Sequence, residues 1–367
     1  MIKSGFLFLS LCLLCLSLPH IAHSAPQENP PFKYMYQFGD SISDTGNLVI
    51  ENPIRGGVCA RYPYGESIRR PTGRCSDGLL MVDDFALSFN MPLLTPYLAK
   101  GGNFSHGANF AVAGSTALDA QTLLTMGIQS PGTKSSLSVQ LAWFRSHLRD
   151  TCLNLAECRE RISNSLILIE TGGNDFNHAL LQNKPMSDVY PMVPRVVSAI
   201  TDAATQLINL GAKRIFIPGN FPIGCLPVYL ATFQTADVTK YDRMHCLKDL
   251  NSFARFQNDQ LQHAIKALRE QHPDVRIVYG DYYSALSWLL ENAGHFGFDL
   301  ARRQTACCGS NVNVYNFNLR SMCGSEGTRV CSDPHRRVSW DGIHMTQRAY
   351  RYMAQWLLRN SFHGLLE

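Results

Sequence analysis

Short apolar runs alternate along this chain with longer stretches in which apolar residues recur every three or four positions. The short runs have the length and composition of buried strands, and they lie at 34–39, 107–114, 165–170, 214–218 and 275–280. The helical stretches lie at 77–90, 136–149, 188–210, 247–270 and 346–359. Strands that alternate with helices form parallel sheets covered on both faces. The pattern therefore predicts an α/β fold.

Polar residues and glycines stand where three of the predicted strands end. Gly39 stops the first strand and is followed by Ser41 in a turn-forming segment, which leads into a short helix. Gly114 ends the second strand, and Asn174 follows the third. The carboxyl ends of parallel strands meet at one edge of the sheet, where open α/β sheets bind ligands. We therefore expect Ser41, Gly114 and Asn174 to lie close together.

The loop before the last helix contains Asp341 and His344, three positions apart. Hydrolysis of an ester by a serine needs a base, a carboxylate that orients the base, and hydrogen-bond donors for the oxyanion. Taken singly, these residues have ordinary explanations, since Ser41 and Asp341 can cap helices and His344 can be a buried, hydrogen-bonded histidine. Taken together, they predict that Asp341 orients His344 and that His344 activates Ser41.

Charge and composition exclude some classes of function. The 367 residues carry a formal net charge of +4, and the basic pairs are scattered along the chain rather than clustered. This distribution argues against a nucleic-acid partner. No linker, repeat or low-complexity tract divides the chain, so we expect one domain over 25–367. No G-x-S-x-G motif occurs, which excludes the nucleophile elbow of the α/β-hydrolases.

The first residues have the pattern of a secretory signal peptide. Lys3 precedes an apolar run at 6–18, and a small-x-small cleavage site follows at 22–24. We predict a signal peptide at 1–24 and a mature chain in the extracellular space or the vacuole. The apolar run is too short for a comfortable bilayer span, and no later run is long enough, so stable membrane insertion is not expected. Asn103 heads the chain's single glycosylation sequon, which agrees with this route.

The cysteines predict disulfides. Of twelve, ten remain after the signal peptide, and an even number in a secreted chain favours disulfides. Spacing makes local pairs plausible for 59 with 75, 152 with 158 and 225 with 246; the other four, at 307, 308, 323 and 331, fall in one loop. Counting does not decide their connectivity. The adjacent Cys307 and Cys308 fit a zinc site poorly, so no metal is expected.

Four sequence blocks occur in a fixed order along the chain. They read Phe38-Gly39-Asp40-Ser41 with Ser43-Asp44-Thr45-Gly46-Asn47, then Asn109-Phe110-Ala111-Val112-Ala113-Gly114, then Gly172-Gly173-Asn174-Asp175, and finally Asp341-Gly342-Ile343-His344. In these blocks the chain resembles the plant branch of the GDSL esterase/lipase family, also called SGNH hydrolases. Shorter plant-family motifs, such as Pro63-Tyr64-Gly65, match as well. Within the family, the chain looks most like esterases that act on plant alkaloids.

The resemblance implies a fold, an activity and a site. The fold is a three-layer α/β/α sandwich with a parallel, flavodoxin-like sheet of about five strands. The activity is that of a serine carboxylic-ester hydrolase without a cofactor, acting on a small-molecule ester. Ser41, Asp341 and His344 are implied as the catalytic residues. The backbone N–H groups of Ser41 and Gly114 and the side-chain amide of Asn174 are implied as the oxyanion hole.

The choice of substrate is left open by the sequence. The resemblance favours a short acyl group, such as acetyl, on a bulky plant metabolite, with a longer-chain lipase as the alternative. An acyltransferase would use the same acyl-enzyme, and a binding protein that keeps the fold needs no reaction at all. Three residues depart from the usual family pattern and can reshape the acyl pocket. They are Ile42, Phe176 and Leu79.

Overall fold

The computed structural model of the protein describes residues 31–54, 56–129 and 132–366, so the predicted signal peptide lies outside the described residues. Its centre is a parallel sheet of five strands in the order β2-β1-β3-β4-β5. The strands are β1 (Tyr34–Gly39), β2 (Gly107–Asn109), β3 (Ser165–Glu170), β4 (Arg214–Pro218) and β5 (Arg276–Gly280). This is the flavodoxin-like order, and it confirms the predicted fold class.

Helices cover both faces of the sheet. They are α1 (Asn47–Glu51), α2 (Met81–Ser88), α3 (Ala120–Thr125), α4 (Leu137–Thr151), α5 (Leu155–Ser163), α6 (Gly173–Leu181), α7 (Met186–Val189), α8 (Val193–Leu210), α9 (Pro227–Thr232), α10 (Lys248–Gln271), α11 (Tyr282–Glu291), α12 (Gln347–Asn360) and α13 (His363–Leu366). One layer packs α4 and α10 against α8, and the other packs α2 and α11 against α12. The sheet therefore has no solvent-facing side at its centre, which explains why its strands are nearly continuous apolar runs.

Four of the five strands lie where the apolar runs predicted them, but the second is shorter. The prediction was a strand at 107–114, whereas β2 ends at Asn109. Beyond it, Phe110 and Val112 still donate backbone hydrogen bonds to Gln37 and Gly39. The neighbouring strand β1 stops at Gly39, so the segment that reaches Gly114 runs past the end of this partner. It continues as a loop at the edge of the sheet.

The cysteine pairs predicted from spacing are confirmed. Cys59 is bonded to Cys75, Cys152 to Cys158 and Cys225 to Cys246. The four cysteines of the later loop form two further bonds, Cys307 to Cys331 and Cys308 to Cys323. Two short antiparallel strands, β6 (Cys308–Gly309) and β7 (Arg329–Val330), bring this loop together.

A small satellite core contains three of the five disulfides. Buried in it are Cys59, Tyr64, Cys75, Ala113, Cys307, Cys308, Cys323 and Trp340. We call this set the disulfide cluster. It is separate from the main core, whose buried side chains extend from Phe32 to Leu365 and include the strands and the helices on both faces. The cluster lies against the loop that carries Asp341 and His344, because Trp340 directly precedes that pair in sequence.

Candidate active site

Ser41 lies in a tight turn directly after β1. Asp40 holds the turn with its carboxylate, which accepts a hydrogen bond of 3.0 Å from the backbone N–H of Ile42. The backbone N–H groups of Ser43 and Asp44 both donate to the carbonyl of Asp40. The serine is largely buried, with 9 % of its surface exposed. The turn therefore presents the hydroxyl at the carboxyl edge of the sheet, as the sequence predicted.

Asp44 fixes the chain that follows the serine. One carboxylate oxygen accepts from the N–H groups of Gly46 and Asn47, at 2.7 and 2.6 Å, and so caps α1. The other accepts from Leu48 at 3.0 Å and from Ala113 at 2.9 Å. The bond to Ala113 ties the serine turn to the loop that precedes Gly114. Burial raises the pKa of Asp44, although these four N–H donors oppose that rise.

The side chains of Ser41, His344 and Asp341 form an unbroken line of hydrogen bonds. His344 Nε2 lies 2.8 Å from Ser41 Oγ, and His344 Nδ1 lies 2.7 Å from Asp341 Oδ2. Because a carboxylate oxygen only accepts, Nδ1 carries the hydrogen, and Nε2 is free to accept the proton of the serine. All three side chains are buried. This arrangement can transfer a proton from Ser41 Oγ to the imidazole.

Hydrogen bonds and a glycine define the conformation of the short loop that holds Asp341 and His344. The Asp341 Oδ1 atom accepts from the backbone N–H groups of Ile343 and His344, at 3.0 and 2.8 Å. Between them, Gly342 has a φ of 98°, and a side chain there would collide with the ring of Phe317. Burial alone would raise the pKa of Asp341, but the imidazole and these hydrogen bonds hold the pKa below its ordinary value. The carboxylate is therefore ionised at neutral pH.

Asn174 follows β3, as predicted, and lies in the first turn of α6, where it lines the same pocket as Ser41. Its amide nitrogen donates to the carbonyl of Ser115 at 3.0 Å, and its amide oxygen accepts from Asn177 at 3.1 Å. These two bonds define which atom is nitrogen. One amide hydrogen is used by Ser115, so the second remains for a ligand.

Gly114 directly precedes Ser115 and has a φ of 84°, in the left-handed region that favours glycine. Its backbone also contacts His178, one turn beyond Asn174 in α6. Through Ser115 and His178, the loop after β2 is therefore joined to the start of α6. The structure brings Ser41 and Asn174 into one pocket, and it places Gly114 in the loop that binds Asn174.

The pocket beside Ser41 is small and mixed in character. Its cavity volume is about 50 Å³, and half of the residues that line it are apolar. The apolar wall consists of Ile42, Pro218, Phe221, Ile223, Leu226, Val228, Tyr229, Tyr282 and Ile343. Of the three departures from the family pattern, Ile42 lines this pocket. Phe176 instead packs against Phe253 of α10, and the backbone N–H of Leu79 donates to Gln347, so neither is among the residues that line this pocket.

Sequence reasoning missed several polar residues that support the site. Glu170, at the end of β3, accepts from the hydroxyl of Ser43 at 2.6 Å and lies against the carboxyl of Asp40. Burial and the neighbouring carboxylate raise the pKa of Asp40 well above its ordinary value, and burial also raises the pKa of Glu170. Asn177 was missed as well. The third sequence block, at 172–175, gave a signal for Asn174, whereas Glu170 was counted as the end of an apolar strand.

Other predictions concern groups away from the pocket. Asn103 is exposed in the loop before β2, and its glycosylation stays a prediction. Within 31–54, 56–129 and 132–366, no cluster of three His, Cys, Asp or Glu side chains has the arrangement of a metal site. Over the same described ranges, every helix is too short or too polar to span a bilayer.

Comparison with known proteins gives the family. The family described as GDSL-like Lipase/Acylhydrolase matches residues 35–357. A GDSL esterase/lipase of Arabidopsis thaliana is 45 % identical over 336 residues, which cover 90 % of this chain and 83 % of the relative. Acetylajmalan esterases 1 and 2 of Rauvolfia serpentina are 40 % and 41 % identical, over 89 % of this chain and 86 % and 90 % of their own lengths.

Among solved structures, an extracellular lipase from Streptomyces rimosus is 12 % identical and has a TM-score of 0.39, covering 89 % of this chain and 99 % of that one. The fold assignment depends instead on the strand order and on the family match, which includes all five strands of the sheet. The chain therefore belongs to the GDSL-like lipase/acylhydrolase family, and it is a carboxylic-ester hydrolase, a serine hydrolase of the SGNH type.

Proposed function

We propose that this chain hydrolyses a short-acyl ester of a plant specialised metabolite through an acyl-enzyme on Ser41. The observation that carries the proposal is the line of hydrogen bonds from Ser41 Oγ through the imidazole of His344 to Asp341, at 2.8 and 2.7 Å. Such a line supplies a nucleophile, a base and a carboxylate that orients the base. The serine itself is thus the nucleophile, with His344 and Asp341 as its catalytic partners.

The reaction has two halves. Ser41 Oγ attacks the ester carbonyl carbon while His344 Nε2 takes the hydroxyl proton, and Asp341 stabilises the resulting imidazolium. The tetrahedral oxyanion accepts hydrogen bonds from the N–H groups of Ser41 and Gly114 and from the amide of Asn174. His344 then protonates the departing alcohol. In the second half, water attacks the acyl carbon and gives its proton to His344, and the acid leaves as Ser41 regains its hydrogen.

The size of the pocket supports a short acyl group. A cavity of about 150 Å³ admits benzene, whereas the cavity beside Ser41 has about 50 Å³. It is closed by ring and branched side chains, among them Phe221, Tyr229 and Tyr282, which are all buried. An acetyl group fits a space of this order, while a long chain would have to extend outside. Similarity to the acetylajmalan esterases supports a bulky plant metabolite on the alcohol side.

The secretory pathway, leading to the extracellular space or the vacuole, is proposed as the location. The support is the set of five disulfides, because such bonds persist in oxidising compartments and are rare in the cytosol.

The proposal is tested with p-nitrophenyl esters from acetyl to palmitoyl, with Ser41→Ala as the control. We expect the highest kcat/KM on the acetyl ester, loss of turnover in Ser41→Ala, and labelling of the wild type alone by a fluorophosphonate. A preference for palmitoyl would contradict the short-acyl proposal. An active Ser41→Ala protein would contradict the role of the serine. A new ester formed from an added alcohol, in place of free acid, would identify an acyltransferase.

A further inference from the structure

The carboxylate of Asp341 has a second side-chain partner besides His344. The hydroxyl of Tyr64 donates to Asp341 Oδ2 at 2.9 Å, and this is the oxygen that also accepts from His344 Nδ1 at 2.7 Å. Tyr64 belongs to the loop at 51–76. It precedes Asp341 by 277 residues in sequence. The oxygen that faces the imidazole is therefore shared between a histidine and a phenol.

Packing leaves the phenol of Tyr64 little freedom to move. The ring is 2 % exposed and lies edge-to-face on Trp340, with 6.0 Å between the ring centroids. It is part of the disulfide cluster, where Cys59–Cys75 closes its own loop. Burial, and next the Asp341 carboxylate, raise the pKa of Tyr64 well above its ordinary value. The hydroxyl therefore stays a hydrogen-bond donor throughout the pH range in which an esterase works.

A donor on Oδ2 acts on the imidazole through the carboxylate. A charge-assisted hydrogen bond draws negative charge towards the phenol and fixes the plane of the carboxylate. Less negative charge then faces the imidazole, so the imidazolium is stabilised less strongly. The other ionisable groups around this pair are Tyr350 of α12, which faces Asp341, and Glu170 of β3, which faces His344. Neither of them has a hydrogen bond to Oδ2 among the contacts of the described residues.

We propose that Tyr64 is a positioning residue for the Asp341–His344 pair, and that its hydroxyl sets the pH above which His344 works as a base. This inference rests on the proposed function of Ser41, His344 and Asp341. It gives the loop at 51–76 a role in positioning the Asp341 carboxylate, in addition to its packing in the disulfide cluster. The disulfide cluster holds the phenol, the phenol holds the carboxylate, and the carboxylate orients the base.

The test compares Tyr64→Phe with Tyr62→Phe. Tyr62 lies in the same loop, is mostly exposed, and donates its hydroxyl to the carbonyl of Arg69 at 2.7 Å. With p-nitrophenyl acetate, we expect Tyr64→Phe to lower kcat by about tenfold or more, because a carboxylate without this hydrogen bond no longer fixes the position of the imidazole. We expect KM to be unchanged and the acid limb of the kcat/KM profile to move to higher pH. Tyr62→Phe should match the wild type in kcat, in KM and in the position of the acid limb.

An unchanged kcat and an unmoved acid limb in folded Tyr64→Phe protein would overturn the proposal. If Tyr64→Phe does not fold, wild-type protein grown on 3-fluorotyrosine replaces it, because a more acidic phenol is a stronger donor. The acid limb should then move to lower pH, and a fixed limb would overturn the proposal. Ser41→Ala distinguishes a failure of the proposed function from a failure of the Tyr64 proposal. Activity in Ser41→Ala would refute the proposed function. If Ser41→Ala is inactive and Tyr64→Phe behaves like the wild type, only the role of Tyr64 is refuted.

Discussion

Gln140 of α4 and Gly39 at the end of β1 exchange two hydrogen bonds. The N–H of Gly39 donates to Gln140 Oε1 at 2.9 Å, and Gln140 Nε2 donates to the Gly39 carbonyl at 2.8 Å. The same amide nitrogen also donates to the hydroxyl of Ser115 at 2.9 Å. One buried side chain thus satisfies the backbone where β1 ends and holds the loop that follows Gly114.

The variant Gln140→Glu tests this support. The new carboxylate still accepts from the N–H of Gly39, but its second oxygen faces the carbonyl of Gly39 without a hydrogen between them. We expect the free energy of unfolding to fall by at least ~2 kcal/mol, since one oxygen of a buried carboxylate is left facing a carbonyl oxygen. Gln121→Glu, at an exposed position of α3, is the matched control and should change the free energy of unfolding little. Equal urea midpoints for the two variants would contradict this account.

Asn174→Ala tests the oxyanion donor. We expect kcat to fall about a hundredfold or more, as when one such donor is removed from another serine hydrolase. Asn177→Ala should cause a smaller loss, because Asn177 acts on the proposed oxyanion donor indirectly, through its bond of 3.1 Å to the amide of Asn174. Both are measured on p-nitrophenyl acetate with protein whose folding is checked by circular dichroism. Full activity in Asn174→Ala would remove Asn174 from the oxyanion hole.

Asp341→Asn tests the carboxylate that orients the base. We expect folding to be kept and kcat to fall by about 10⁴, as in the serine-protease example of this substitution. Adding Ser41→Ala should cost little more, because residues that act as a unit are not additive. Asp333→Asn, which changes an exposed cap of His335, is the control and should leave kcat unaltered. A loss below tenfold in Asp341→Asn would leave Ser41 and His344 as a dyad.

Glu170→Gln tests the buried pair of carboxyl groups next to the serine. The pKa values of Glu170 and Asp40 are both raised in the folded protein, so their stability contribution is complete below the pKa of the unfolded chain and is lost as pH rises through the folded pKa. We therefore expect wild-type stability to fall with rising pH above about 4. The fall should be smaller in Glu170→Gln, whose amide keeps an acceptor for Ser43. Parallel profiles of the urea midpoint between pH 5 and 9 would contradict this.

Removal of one disulfide should affect activity as well as stability. The N–H of Cys308 donates to the Trp340 carbonyl at 2.7 Å, directly before Asp341. We expect Cys308→Ser with Cys323→Ser to lower the free energy of unfolding by about 3 kcal/mol, given its 15-residue loop, and to lower kcat.

The control for this double variant is Cys152→Ser with Cys158→Ser, which opens a loop of only 6 residues between α4 and α5. These helices lead into the start of β3, so the bond lies near the amino ends of the strands. Ser41, in contrast, lies at their carboxyl ends. We expect a smaller loss of stability and no change in kcat for folded protein. If both pairs lowered kcat equally, the link between the disulfide cluster and Asp341 would be refuted.

The strands and the long helices were predictable because their signal is local. The run at 165–170 and the helix at 247–270 are defined by the apolar pattern of neighbouring residues, and the structure places them within one residue of the prediction. The shorter helices α5, α9 and α11 were missed. Each of these helices has ten residues or fewer. So few helical turns do not let the apolar pattern distinguish a helix from a loop.

The polar supports of the site were not predictable for a different reason. Glu170 meets Ser43 across 127 residues, Gln140 meets Gly39 across 101, and Tyr64 meets Asp341 across 277. Nothing in the local pattern around Tyr64 or Gln140 shows which distant group each will bind. Ser41, Gly114 and Asn174, by contrast, follow predicted strands, and the topology of a parallel sheet brings the carboxyl ends of its strands together.

The bond between Ser41 and His344 joins two residues that are 303 positions apart. During synthesis, the serine is made with the first strand, while the histidine comes only after all five strands and the helices between them. On the proposed roles of Ser41 and His344, a growing chain carries its nucleophilic hydroxyl for most of translation without the base that would activate it. Under this proposal, ester cleavage begins only after the loop before α12 has been made and packed, so the order of translation itself keeps unfinished chains inactive.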